Sequence, residues 1–316
     1  MGKSSRAARA WVALCIAGCL TACGGTSSPR EDALSELEQL AFIPAGSVSF
    51  PPLSGRSVEC ANAEPLLVDR YEVPRGRWLR YQRQRATELD PQLTAMTAGW
   101  TEDTWSWAAS WMTLEEARAF ARSRGMRLMT AREWVRVAVG LRGLRFPWGE
   151  NRASLVANTL ELGLSRPIPV GTFELGATPN STYDLCGNVW EWVEDPIDRP
   201  IPDESDPNSR AWAMGGSFAS PLAPMYEVDQ SGRLKFQNLT LDPRARGDDI
   251  GVRCAVEARE YLRLHAEEFG DDEAAHARLV SVGRRFGRDA VPLLESLVAE
   301  TRNSRALRWL LEGASK

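Results

Sequence analysis

Residues 141–220 place the strongest limit on what this 316-residue chain can fold into. The stretch is dense in Gly, Pro and Asn and shows no long helical or alternating period, so it reads as loops joined by short strands. Such a region buries irregular backbone, whose N–H and C=O groups need partners from turns, side chains or a metal. All of the twelve tryptophans except Trp11 and Trp309 lie between residues 78 and 212. They give the irregular region large side chains to pack around, and a core is their default place, with a binding surface as the other use.

The flanking segments are more regular. Residues 40–50 (LAFIPAGSVSF) suggest a strand pair or strand-turn, and residues 65–73 (PLLVDRYEV) a second strand. Residues 75–87 suggest a helix with Trp78 and Tyr81 on one face, and 88–110 a loop rich in Trp, Thr and Asp. Thr113-Leu114-Glu115-Glu116 fits a capping box, in which the hydroxyl takes a free N–H and the Glu reaches back; Gly125 ends that helix. Thr130 and Glu133 open a second helix that runs to about Val139. Residues 249–257 (DIGVRCAVE) read as a closing strand. From Ala258 the composition turns to Ala, Leu, Arg and Glu, which suggests two to four helices over 258–316.

The N-terminus reads as an address. Lys3, Arg6 and Arg9 form a positive region, Ala10 to Leu20 a short apolar one, and Leu20-Thr21-Ala22-Cys23 follows. The apolar run is shorter than the about 20 residues a spanning helix needs. The tetrapeptide resembles the lipobox of bacterial lipoproteins. That implies a signal peptide over 1–22 and a membrane anchor by lipid on Cys23, in a bacterial cell envelope. Gly24, rather than an Asp, leans toward the outer rather than the inner membrane. Residues 23–39 read as a flexible tether from their Gly, Ser, Thr and Pro. The formal net charge of −4 gives no footprint for nucleic acid. Besides the anchor, Cys60, Cys186 and Cys254 remain, so at most one disulfide can form within this part of the chain.

Five short blocks follow one another in order: Thr130-Ala131-Arg132-Glu133-Trp134, Phe146-Pro147-Trp148-Gly149, Gly187-Asn188-Val189-Trp190-Glu191-Trp192, Gly215-Gly216-Ser217-Phe218 and Gly251-Val252-Arg253-Cys254-Ala255. The ordered set over residues 40–257 resembles the formylglycine-generating enzyme (sulfatase-modifying factor) family. The resemblance implies an irregular α+β fold, C-type-lectin-like, with two helices on a small antiparallel sheet and the terminal strands of the domain paired. The helices of 258–316 would be a C-terminal extension, with a HEAT-like hairpin one form it can take. A single such unit must cover its apolar side, which makes a packing brace the first reading and a partner surface the second.

The resemblance also implies a structural calcium at the Gly-Asn-Val-Trp-Glu-Trp loop. Asp184 and Glu191 would supply side-chain oxygens, and Gly187 and Val189 carbonyls. Asp184 stands where the family usually has Asn. A second family calcium site starts at an Ala-Asn pair, here Ala157-Asn158, but the loop that should complete it is shorter and lacks the Asp. Strand order in the fold would place Cys60 near Cys254, which allows a disulfide, with three free thiols as the alternative. The family's copper is held by two thiolates, which Cu(I) prefers. Ser220 and Met225 stand at those two positions, so copper and the oxidase chemistry are not expected.

Only His265 and His276 are present in the whole chain, both in the tail, so a histidine triad or a three-histidine metal site has no basis in the main domain. On one helix they would lie about 16 Å apart. The sequence thus points to a membrane-anchored, non-catalytic member of the family that binds or scaffolds a protein, peptide or glycan. The rival reading is an enzyme with altered chemistry in the same groove.

Overall fold

The computed structural model describes residues 29–50, 58–85, 91–153, 155–197, 206, 208–230, 234–301 and 304–316. The expected signal peptide and Cys23 lie outside the described residues. In chain order the elements are α1 (Pro29–Glu38), β1 (Leu40–Ile43), β2 (Gly46–Phe50), β3 (Val58–Asn62), β4 (Leu66–Asp69), α2 (Arg75–Arg85) and α3 (Pro91–Met96). Next come α4 (Leu114–Ser123), β5 (Arg127–Leu128), α5 (Ala131–Val139), β6 (Trp190–Trp192), β7 (Ala211–Met214), β8 (Tyr226–Val228), β9 (Leu234–Phe236) and β10 (Asn238–Leu241). The chain closes with β11 (Ile250–Gly251), β12 (Cys254–Glu257), α6 (Ala258–His265), α7 (Glu273–Phe286), α8 (Val291–Glu300) and α9 (Arg305–Ala314).

Two four-stranded sheets organise the domain, one in the order β1-β4-β12-β5 and the other in the order β10-β7-β6-β11. The first is antiparallel throughout; in the second β11 runs parallel to β6. Residues 40–50 are two strands, as expected, but they do not pair with each other: β1 joins β4, and β2 joins β3 as a separate ribbon. The terminal strands of the domain, expected to pair, instead flank β4 on either side. Residues 249–257 split at Val252-Arg253, sending β11 to one sheet and β12 to the other. One segment therefore stitches the two sheets together, and Arg253 sits at the junction.

Both expected capping boxes form. The hydroxyls of Thr113 and Thr130 accept from the N–H groups of Glu116 and Glu133, whose carboxylates accept from the threonine N–H groups in return. α4 buries Leu114, Ala117, Phe120 and Ala121 against Trp78 and Tyr81 of α2. α5 buries Trp134, Val135 and Val139 in a second cluster with Phe50, Cys60 and Met225.

The tether reading of 23–39 is corrected for its second half. Pro29–Glu38 is a helix whose Ala33, Leu34 and Leu37 enter the main core. Their spacing of one, then three, puts them on one face. Glu36 pairs with Arg77 and Arg124, and Glu38 with Arg278 of α7. Four helices follow the domain. Their core residues, among them Leu279, Phe286, Leu294 and Leu310, are continuous with the cluster that holds Phe42 and Leu67 of the first sheet. α7 and α9 approach through Gly283, where a Cβ would lie 2.1 Å from the carbonyl oxygen of Leu310. The extension thus covers its apolar side on the domain, the packing that the brace reading requires.

Candidate functional site

The loop before β6 and the junction after β11 meet around one buried ion pair. Glu191 and Arg253 are 1 % and 0 % exposed at their side chains. Arg253 Nε donates to both Glu191 oxygens at 3.0 and 3.1 Å, and Nη2 donates to Oε1 at 2.6 Å. Trp134 Nε1 donates to Oε2 at 2.7 Å. The remaining guanidinium donors reach the carbonyls of Asp69 at 2.9 Å and Tyr183 at 2.7 Å. Trp134 of α5, β6 and the β11–β12 junction are thereby clamped to β4. Trp134, Glu191 and Arg253 come from three separate sequence motifs, and the fold joins them in one contact.

Glu72, which no sequence signal had marked, extends the cluster. Its Oε1 accepts from the Val189 N–H at 3.0 Å and its Oε2 from Asn188 Nδ2 at 2.5 Å. Asn188 Oδ1 accepts in turn from Ile168 N–H and from Asn158 Nδ2. Asp184 accepts from the Gly171 N–H at 2.5 Å. Asp184 and Asn188 both hold left-handed backbone conformations, with φ of 57° and 61°. Between them Gly187 has φ 85°, and a Cβ there would lie 2.3 Å from the Asn158 carbonyl oxygen, so only glycine fits. Burial raises the Glu72 carboxyl well above the usual range, with Asp184 and Glu191 adding to it against Arg253 and the Val189 N–H. Burial also pushes Asp184 up, to about 6, with Glu191 adding and the Gly171 N–H and Arg253 opposing. Three carboxyls share one guanidinium here.

Of the four residues expected to hold calcium, Asp184 and Glu191 are buried, and Gly187 and Val189 lie between them in the same segment. A carboxylate offers about four lone-pair sites. Glu191 accepts from Trp134 and from two nitrogens of Arg253, one of them shared between both of its oxygens. Asp184 retains acceptor capacity, and Gly187 and Val189 lie in the same turn. Asn158, at the start of the second family site, has an Oδ1 atom that is buried without a partner.

The position of the family's thiolate pair lies on the turn after β7. Ser220 Oγ accepts from the Ser217 N–H at 3.0 Å and lies 3.2 Å from Ser217 Oγ. Ser217 Oγ donates to Asp249 Oδ2 at 2.8 Å. Burial raises Asp249, partly offset by that hydroxyl. Met225 is fully buried in the α5 core, and its main chain bonds Arg145 and Gln237. Its thioether therefore packs as a hydrophobe. Ser220 lies in the turn after β7 and Met225 in the core next to β8, and they present no pair of thiolates, so the residues do not fit copper.

The cysteines offer no substitute. The Cys60–Cys254 bond is not formed: Cys60, Cys186 and Cys254 are free and buried. β3 pairs with β2 rather than β12, which leaves Cys60 and Cys254 in different core clusters. Burial pushes the Cys60 and Cys186 thiols up to about 12 and raises Cys254 as well, so all three are held as neutral thiols. Beside Ser220, the Leu160 N–H bonds the Ser220 carbonyl, and Leu155, Leu160 and Leu164 of this loop are 68 %, 56 % and 41 % exposed. The turn therefore has exposed leucine beside it.

A family model, the sulfatase-modifying factor enzyme 1-like domain, matches residues 26–258. The hercynine oxygenase of Mycolicibacterium smegmatis is 38 % identical over 96 residues, which cover 29 % of this chain and 22 % of that protein. The inactive C-alpha-formylglycine-generating enzyme 2 of Bos taurus is 38 % identical over 154 residues, 44 % of this chain and 47 % of that protein. The chain thus spans about a fifth of the first relative and about half of the second. Among solved structures, PvdO from Pseudomonas aeruginosa superposes with a TM-score of 0.51 at 22 % identity, covering 69 % of this chain and 94 % of that one. That likeness establishes the fold.

Proposed function

The chain belongs to the sulfatase-modifying factor enzyme family, and from that premise we propose that it is a non-catalytic member, tethered by lipid on Cys23, whose domain serves as a binding or scaffold module at a bacterial cell surface. One observation carries the reading. At the two thiolate positions stand Ser220, bonded to Ser217, and Met225, buried in the core. Neither holds Cu(I) as a thiolate does, and the three thiols of the domain are buried and neutral. The bovine relative named inactive is consistent with a family in which the framework outlasts the chemistry. Leu160, whose N–H bonds the Ser220 carbonyl, is exposed beside the turn and would give a peptide or glycan an apolar contact there.

The alternative, an enzyme with altered chemistry, draws on Ser217 and Asp249, a hydroxyl donating to a half-buried carboxylate at 2.8 Å. Such a pair lacks the histidine that would take the hydroxyl proton in a serine triad, since both histidines bond acids of the tail. No described helix is long and apolar enough to cross a membrane. Growth with an alkyne fatty acid tests the anchor: label should appear on the wild-type protein and vanish in Cys23→Ser, while equal labelling of both removes the tether from the account.

A further inference from the structure

A second feature lies apart from the degenerate turn and shares none of its residues. Arg136 occupies the middle of α5 and is 2 % exposed. Its Nη2 donates to the Pro44 carbonyl at 3.2 Å, and its buried Nε has no partner. Among the described residues no carboxylate pairs with it. This contrasts with Arg124, Arg127 and Arg253, each bound to one or more acids. An unpaired buried cation is costly, and proteins ordinarily pair it or place a ligand against it.

Arg136 lines a cavity of about 290 Å³ between the end of α5, the β1–β2 turn, residues 178–180 and the helical extension. Leu144 and Pro147 give it apolar walls, and Leu141, half exposed, stands at its lip. Arg142 and Asp289, both exposed at the rim, carry opposite charges. The net charge facing the cavity is therefore that of Arg136 alone.

We propose that Arg136 and this cavity form a binding site for a small monocarboxylate with an apolar body. The guanidinium fork matches a carboxylate in two parallel hydrogen bonds. A phosphate dianion would be left half-neutralised in an apolar pocket, whereas one carboxylate balances one guanidinium. The volume lies at the small end of ligand pockets, which run to about 300–1,000 Å³, and so limits the apolar body to a short chain or ring. Asp289 lies just before α8, so the extension completes the wall of the pocket as well as bracing the fold.

Octanoate and octanamide, which differ in charge but hardly in shape, test this by titration calorimetry on the purified full chain. Octanoate should bind at least tenfold more tightly than octanamide. Arg136→Met should abolish that preference and, because it removes an unpaired buried charge, should leave the melting temperature at or above that of the wild type. Leu141→Trp, an exposed change at the lip, should weaken octanoate at least fivefold while Arg136 stays in place. Equal affinity for the two probes, no octanoate binding at millimolar concentration, or an undiminished preference in Arg136→Met would each overturn the proposal.

Discussion

Replacing Arg253 by Met should cost more stability than any single core truncation in the domain. The substitution keeps most of the side-chain volume and removes the one cation that faces Glu191, Glu72 and Asp184. Glu191 would remain 1 % exposed, with only Trp134 Nε1 to satisfy it. The carbonyls of Asp69 and Tyr183 would lose their donors as well. Breaking a buried pair by deleting one partner costs about 3–5 kcal/mol, and each orphaned carbonyl adds about 1 kcal/mol or more. The sum is on the order of 5–7 kcal/mol, much of the about 5–15 kcal/mol that holds a typical domain together. Urea unfolding followed by tryptophan emission reads this directly, because Trp134, which donates to Glu191, is fully buried. Adding Glu191→Gln, which sheds the charge yet keeps an acceptor for Trp134, should return about 2 kcal/mol or more. A loss under about 1 kcal/mol in the single variant, or no recovery in the double variant, would show that the pair does not clamp the two sheets.

Three further outcomes follow from the same structure. Leu37→Ala, at a fully buried position of α1, should lower stability by about 2–4 kcal/mol in chemical denaturation; a flexible tether would show no change. Burial alone would raise the Asp69 carboxyl, but the bidentate Arg124 beside it outweighs burial and holds it below the usual range. Its folded value lies under its unfolded one, so its contribution is present above about pH 4 and is lost as the pH falls through the folded value. Asp69→Asn should therefore flatten the fall in urea midpoint between about pH 5 and pH 3, and an unchanged slope would count against the pairing. Cys60, Cys186 and Cys254 should react with a thiol reagent at neutral pH only after unfolding, and fast labelling of the native protein would contradict their burial.

Much of this arrangement was legible in the sequence because its signals are local. The capping boxes at Thr113 and Thr130 and the ordered motif blocks each depend on neighbours a few residues apart. What stayed hidden depends on distant partners. α1 was obscured because Ser, Pro and Gly beside it suggest a tether, while only Ala33, Leu34 and Leu37 carry its buried face. Residues 249–257 look like one strand because every residue is compatible with extended backbone. Only the pull of Arg253 toward Glu191, 62 positions earlier, explains why the chain changes sheets there. Glu72 sits in an unremarkable Tyr-Glu-Val stretch, and nothing nearby announces that Asn188 and Val189 are its partners. Arg136 interrupts an apolar helix face, a signal available in the sequence, but its lack of an acid becomes visible only when the fold surrounds it.

Catalytic competence at the Ser220 turn is tested most directly by mass. The purified protein, supplied with Cu(I), oxygen and a cysteine-containing sulfatase-type peptide, should leave the peptide mass unchanged, because Ser220 and Met225 supply no thiolate pair to hold the metal. Conversion of the peptide cysteine to an aldehyde would contradict the non-catalytic reading and require a copper site built without those two residues.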